Sequence, residues 1–210
     1  MPPPAFATHD DLKALLGRPD LDNGQCDFAL RSASATIRNY TKQYLSPVAN
    51  DTVQLEGTWG QELWLPEKPV TAVHSIVLNS PPFVANFTLP TTDYMWSRRG
   101  KLIRLGSWGL GWPVYPDDLV GGYWGGSQGT VTVTYDHGYA TLPDDIWGVC
   151  LAVAGRLVTN PTNVLRESID AGGLSVSTQY ARTMAADLEP EEQAKLNLYR
   201  KRQSSLYVGK

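Results

Sequence analysis

No apolar run in the sequence approaches the ~18 residues a bilayer-spanning helix needs, which excludes a helical membrane protein. Cysteine is scarce: Cys26 and Cys150 are the only two in 210 residues, too few to staple a chain this long. Both fall on apolar helix faces, the place of buried free thiols in a protein made in a reducing cytoplasm. Histidine is nearly as rare. His9, His74 and His137 lie far apart, with no i,i+4 partner and no cysteine nearby, so zinc-site spacing is absent. They read instead as a helix-start, a strand-surface and a turn residue. A net charge of -3 leaves no basic footprint for nucleic acid or a membrane surface. The first residues lack a basic segment followed by an apolar one, so no signal peptide is expected. The sequons at Asn39, Asn50 and Asn86 are then chance matches. No glycine loop follows a strand and opens a helix, as phosphate binding would require.

What the sequence does have is centred on Val131 to Asn160. Val131, Val133 and Tyr135 alternate with polar residues, the period-two pattern of a half-buried strand. After His137-Gly138, Thr141 is the expected N-cap of the most apolar helix in the chain, with Pro143 in its first turn. Asp144 and Asp145 suit the positive end of its dipole. Ile146, Cys150, Val153 and Leu157 form one apolar face. Trp147, Leu151, Ala154 and Val158 form another, so this helix must be covered on two sides. Asn160-Pro161 stops it.

Upstream, Thr8 opens a short helix with Asp11 at the capping-box position, and Gly17 and Pro19 close it. Asp22 caps the next helix. Its stripe runs Cys26, Leu30, Ala33, Ile37, Tyr40, Tyr44, and its small residues at 32 to 35 permit close approach to the 143–160 helix. From Asp51 to Asp136 the texture changes to short runs between turn residues: Thr52–Glu56, Glu62–Leu65, Ala72–Leu78, Phe83–Leu89, Tyr94–Ser97 and Leu102–Leu105. Gly100 marks a hairpin turn. Gly106 to Gly129 is a long Gly/Trp loop. Arg166 to Tyr180 is polar and Gly-broken, with one short strand expected around Leu174 and Val176. Pro190 starts a last helix to about Gln203, edged by Leu196 and Tyr199 and thin enough that it must dock on something.

Several motifs carry a chemical reading beside a plainer one. Gly125 to Gly129 fits the G-x-S-x-G pattern around Ser127, but a nucleophile elbow needs a strand before it and a helix after it. Here the order is a Gly-rich loop and then a strand. Asp117-Asp118 and Asp144-Asp145 lack metal-loop spacing; loop solvation and helix capping explain them. Trp108, Trp112, Tyr115, Tyr123 and Trp124 fit a sugar-stacking platform, with packing of this region or a subunit contact as the favoured, plainer reading. Arg98, Arg99, Lys101 and Arg104 form a local basic cluster, with a solvated hairpin as the plainer reading.

The expected architecture is α+β. A small helical core from discontinuous segments carries an inserted, mostly antiparallel β domain, sandwich- or barrel-like, and a C-terminal helical arm. The expected boundaries are 1–45 for the N-terminal helices, 46–137 for the β domain, 138–180 for the core helix and following extended segment, and 181–210 for the arm.

The order of these parts resembles the head–tail connector family of long-tailed bacteriophages, the head completion or head-to-tail adaptor proteins. The residues that carry the likeness are the paired N-terminal helices, Leu63-Trp-Leu65-Pro66-Glu-Lys-Pro69-Val70, the Val131 to Ile146 segment, and Arg166 to Tyr180. It spans about residues 8 to 180. The resemblance implies a structural virion protein, synthesised in the bacterial host cytoplasm, with no catalytic, metal or cofactor-binding residues and no cofactor. It implies a homo-oligomeric ring, twelve copies by the family pattern, under the portal protein. Such a ring extends the DNA channel, lets genomic DNA pass without sequence-specific binding, and offers a platform to the next neck protein, a stopper or tail terminator. No membrane is involved. Interface surfaces expected on this basis are the exposed side of the helical pair together with Arg166, Glu167, Ile169, Leu174, Val176 and Tyr180 for ring contacts, and Leu196, Tyr199, Arg200, Lys201 and Arg202 for the portal. Trp108, Trp112 and Trp124 are expected loop contacts. The competing reading is a β-rich carbohydrate- or receptor-binding virion module that uses the Trp-rich loop.

Overall fold

The computed structural model describes residues 3–57, 60–80, 84–105, 124, 130–160, 164–170, 175–180 and 187–201, with backbone alone for 79–80, 84–86, 130, 164–170 and 175–180. The chain divides into a unit formed by 1–43 and 141–210 and a unit formed by 44–140.

In the first unit, α1 spans His9–Leu16. The Thr8 hydroxyl accepts from the Asp11 backbone N–H, and the Asp11 carboxylate accepts from the Thr8 N–H, a reciprocal cap. Gly17, at φ 62, ends the helix in the left-handed conformation glycine tolerates best. Helix α2, Asn23–Thr41, is capped by the Asp22 carboxylate accepting from the Gln25 N–H. It ends at Lys42, left-handed at φ 56 without being glycine, so the stripe finishes at buried Thr41 rather than Tyr44.

Helix α3, Asp144–Thr159, buries Ile146, Val149, Cys150, Leu151, Val153, Ala154 and Val158. It meets α2 along Cys26, Leu30, Ala33, Ser34 and Ile37, all but fully enclosed. The close pairing rests on small residues: Ser34 Oγ lies 3.5 Å from Cys150 Sγ and donates to the Leu30 carbonyl at 2.7 Å. One expectation is corrected here. Thr141 does not cap α3. Pro143 stands at the N-cap with an extended backbone, ψ 140, outside the first turn, and its carbonyl accepts from Ile146 and Trp147.

The last helix, α4, Pro190–Leu196, is half the expected length. Past Asn197 the chain tightens into turns, and the Lys201 N–H then donates to the Thr41 carbonyl, which ties it to the end of α2.

The second unit is antiparallel throughout. Strands β1 (Val48–Glu56), β7 (Thr130–His137), β3 (Val70–Ser80) and β4 (Val84–Thr88) form one sheet in that order. Strands β2 (Glu62–Trp64), β6 (Lys101–Arg104) and β5 (Tyr94–Trp96) form another. Along β7, Val131, Val133 and Tyr135 are buried while the residues between them are partly exposed, as the alternation requires. These three join Val70, Ile76 and Leu78 of β3 with Leu63, Tyr94 and Leu102 of the smaller sheet in one core. Gly138, at φ 94, closes β7. A Cβ there would fall 2.1 Å from the Ser46 carbonyl oxygen, so no other residue fits. Gly100, at φ 81, makes the β5–β6 turn.

The polar segment after α3 forms two strands, not one: β8 (Val164–Asp170) and β9 (Ser175–Tyr180) pair as an antiparallel hairpin and, among the described residues, join neither other sheet. The backbone ladder runs from Val164 opposite Tyr180 to Asp170 opposite Ser175.

Candidate functional site

Two histidines of the β unit each face one aspartate. His74 Nε2 lies 2.7 Å from Asp136, and His137 Nε2 lies 3.1 Å from Asp51. His137 is not a turn residue; it ends β7 and is 3% exposed. The Asn50 backbone N–H, then His74, hold the Asp136 carboxyl below the ordinary range. Burial raises the Tyr135 phenol well above its usual value. In the helical unit, burial raises the Cys150 thiol, which keeps it protonated and unreactive. No three His, Cys, Asp or Glu side chains converge on a metal position among the described residues. Ser127, Asp117 and Asp118 lie outside the described residues.

The residues expected at interfaces divide into two sets. Arg166, Glu167, Ile169, Val176 and Tyr180 stand together on the β8–β9 hairpin, with Arg166 opposite Gln179, Glu167 opposite Thr178, Ile169 opposite Val176 and Val164 opposite Tyr180. Leu174 lies outside the described residues.

The C-terminal set is largely folded into its own unit, which corrects the expectation. Leu196 is fully enclosed and has no surface to offer a partner. Tyr199 donates its hydroxyl to Asp145 at 3.2 Å. The Arg200 guanidinium stacks 5.4 Å from the centre of the Tyr40 ring. Arg156 of α3 grips Glu192 of α4 through two hydrogen bonds of 2.7 and 2.8 Å, and Glu192 foremost raises the Arg156 pKa. Arg202 lies outside the described residues. A thin apolar edge concealed this docking, since enclosed Leu196 is joined there mainly by polar and cation–π contacts.

Trp124 is likewise corrected as a loop contact. It is 2% exposed within the β core, and its indole N–H donates to the Gln61 carbonyl at 2.7 Å. Its large ring is part of the core shared by both sheets of the β unit. Trp108 and Trp112 lie outside the described residues.

One surface was missed. Asp11, Ala14 and Leu15 of α1 and Trp147, Gly148, Leu151 and Ala152 of α3 line a groove of about 350 Å³. Leu15 is 58% and Trp147 41% exposed. Trp147 hydrogen-bonds Asp11, whose carboxyl is held low first by the Thr8 backbone N–H and hydroxyl. The sequence did carry a signal: Trp147 heads the second apolar face of α3. Leu151 and Val158 of that face are buried, and Trp147 is left half-open. On α2, Phe28 is 74% exposed.

No protein-family model matches the sequence, and no curated protein matches it. Solved structures do resemble it. A discontinuous helical core with an inserted antiparallel β unit is also the fold of a chain in the neck of an empty gene transfer agent (GTA) particle computed with C6 symmetry. The two share 16% identity at a TM-score of 0.53, over 94% of this chain and 91% of that one. A chain of the virion of the native GTA particle is similar at 15% identity and a TM-score of 0.51, over 94% and 91%. At such identity the likeness is one of fold.

Proposed function

We propose that this chain is a structural head-to-tail adaptor of a long-tailed, phage-like particle. It forms a ring of twelve copies below the portal, extends the DNA channel, and gives the next neck protein its platform. Its place is the virion neck, and its work is mechanical, with no catalysis and no cofactor. The observation that carries this reading is the fold shared with a GTA neck chain over nearly the full length of both. The β8–β9 hairpin supports it. A two-stranded hairpin is marginal in water by itself, and among the described residues this one joins no other sheet. A neighbouring subunit supplies what it lacks, and Arg166, Glu167, Ile169, Val176 and Tyr180 are the ring contacts on it. The exposed ends of Arg200 and Lys201 face the portal. A ring needs two different patches per subunit that meet around the axis.

The test replaces 164–180 with a short flexible linker and follows assembly on purified portal rings by co-sedimentation, since a copy that cannot join its neighbours is not retained there. The intact chain sediments with the portal. The shortened chain keeps its melting temperature and stays in the supernatant. Equal sedimentation of both removes the hairpin from the interface, and failure of the intact chain to bind contradicts the adaptor role.

A further inference from the structure

The helical unit carries two unlike half-sites that its own fold cannot bring together. The first is Phe28, an aromatic side chain standing 74% exposed on α2. At about 100° per residue it lies roughly 200° around the helix from Cys26, hence away from the face that meets α3. Arg31 follows three residues later on the same side. It is exposed and, among the described residues, has no ion-pair partner. The second half-site is the groove between α1 and α3, apolar in Ala14, Leu15, Trp147 and Leu151. Asp144 precedes Trp147 by three residues. It too is exposed and has no partner among the described residues.

The two half-sites match in chemistry and in spacing. One offers an aromatic ring with a cation one helical step away; the other offers an apolar cleft with an anion one helical step away. Residues three apart on a helix sit ~5–6 Å from each other at Cβ in both cases. The cleft, at about 350 Å³, is at the small end of the range for binding clefts and suits one side chain better than a whole helix.

We propose that the occupant of the groove is a second copy of this chain, with Phe28 of one subunit seated between Leu15 and Trp147 of the next and Arg31 paired with Asp144 of that subunit. The contact is head-to-tail, because the two half-sites lie on different faces. Repeated, it generates a closed ring or an open filament. It rests on the ring reading above and adds, beside the β8–β9 hairpin, a second contact between neighbouring subunits.

The test uses three full-length variants, with assembly measured by light scattering and negative-stain microscopy, alone and with portal rings. Phe28→Asp and Arg31→Glu each remove one half-site. Asp144→Arg removes the other. Each variant should raise the concentration for half-assembly at least tenfold while its circular dichroism and melting temperature stay close to wild type. The decisive sample mixes Arg31→Glu with Asp144→Arg in equal amounts. Every junction in an alternating ring then pairs opposite charges, so rings should reappear although neither variant forms them alone. If wild type forms rings and all three variants do so equally well, the contact is wrong and the ring reading survives. If single variants fail and the mixture stays unassembled, the groove belongs to another protein or to residues 202–210, and the proposal falls. Rescue to a dimer alone would mean a two-fold contact and would overturn the head-to-tail geometry. If wild type never self-associates, with or without the portal, the ring reading itself fails.

Discussion

Arg156 on α3 and Glu192 on α4 face each other through two hydrogen bonds, with the Asp187 carbonyl 3.0 Å from the same guanidinium. The pair is partly enclosed, with side chains 27% and 10% exposed, so it outranks a free surface ion pair. Beside it, Leu196 is fully buried. The C-terminal segment is therefore part of the helical unit. Glu192→Ala, which leaves Arg156 without its acceptor, should cost about 1–3 kcal/mol in urea unfolding. Leu196→Ala should cost about 2–4 kcal/mol by opening a cavity. Hydrogen exchange in 187–201 should rise in both. Unchanged exchange there would mean the segment is not held by these contacts.

The close of β7 sets a second expectation. Gly138→Ala places a methyl group against the Ser46 carbonyl at a positive φ. It should destabilise the β unit by at least about 3 kcal/mol. Gly148→Ala on α3, where a Cβ meets nothing, should be neutral or slightly stabilising. Thermal melts of the two variants check the contrast, and similar melts would contradict it.

Acid should weaken the start of α1. The Asp11 carboxyl is held below its ordinary 3.8 by the Thr8 backbone N–H and hydroxyl. A depressed native pKa makes this contribution fully present above about pH 4, the unfolded value, and lost as pH falls through the lower native value. Asp11→Asn should flatten that part of the melting temperature against pH below about pH 4. A slope unchanged in the variant would assign the acid sensitivity elsewhere.

What was legible in the sequence was local or periodic. The Thr8–Asp11 and Asp22–Gln25 caps lie within one helical turn, and the β7 alternation and the two faces of α3 follow from period alone. The pairing of α2 with α3 followed from matched small and apolar stripes. What escaped depended on distant partners. Leu196 and Trp124 carry no periodic signal, and their burial depends on α2, α3 and the β core. The hairpin escaped because Arg166, Glu167 and Ser168 form a strand through backbone pairing without an apolar rhythm. The groove escaped because Trp147 looks like any other core residue until α1 is seen to leave it half-covered.

The central proposal is that copies of this chain join one another into a ring below the portal. Cryo-electron microscopy of the purified chain mixed with portal rings tests it most directly. The account predicts a second ring stacked coaxially on the portal, with an open channel continuing the portal's own and one α1–α3 groove at every subunit junction. Bare portal rings beside single chains, at concentrations where both remain folded, would contradict it.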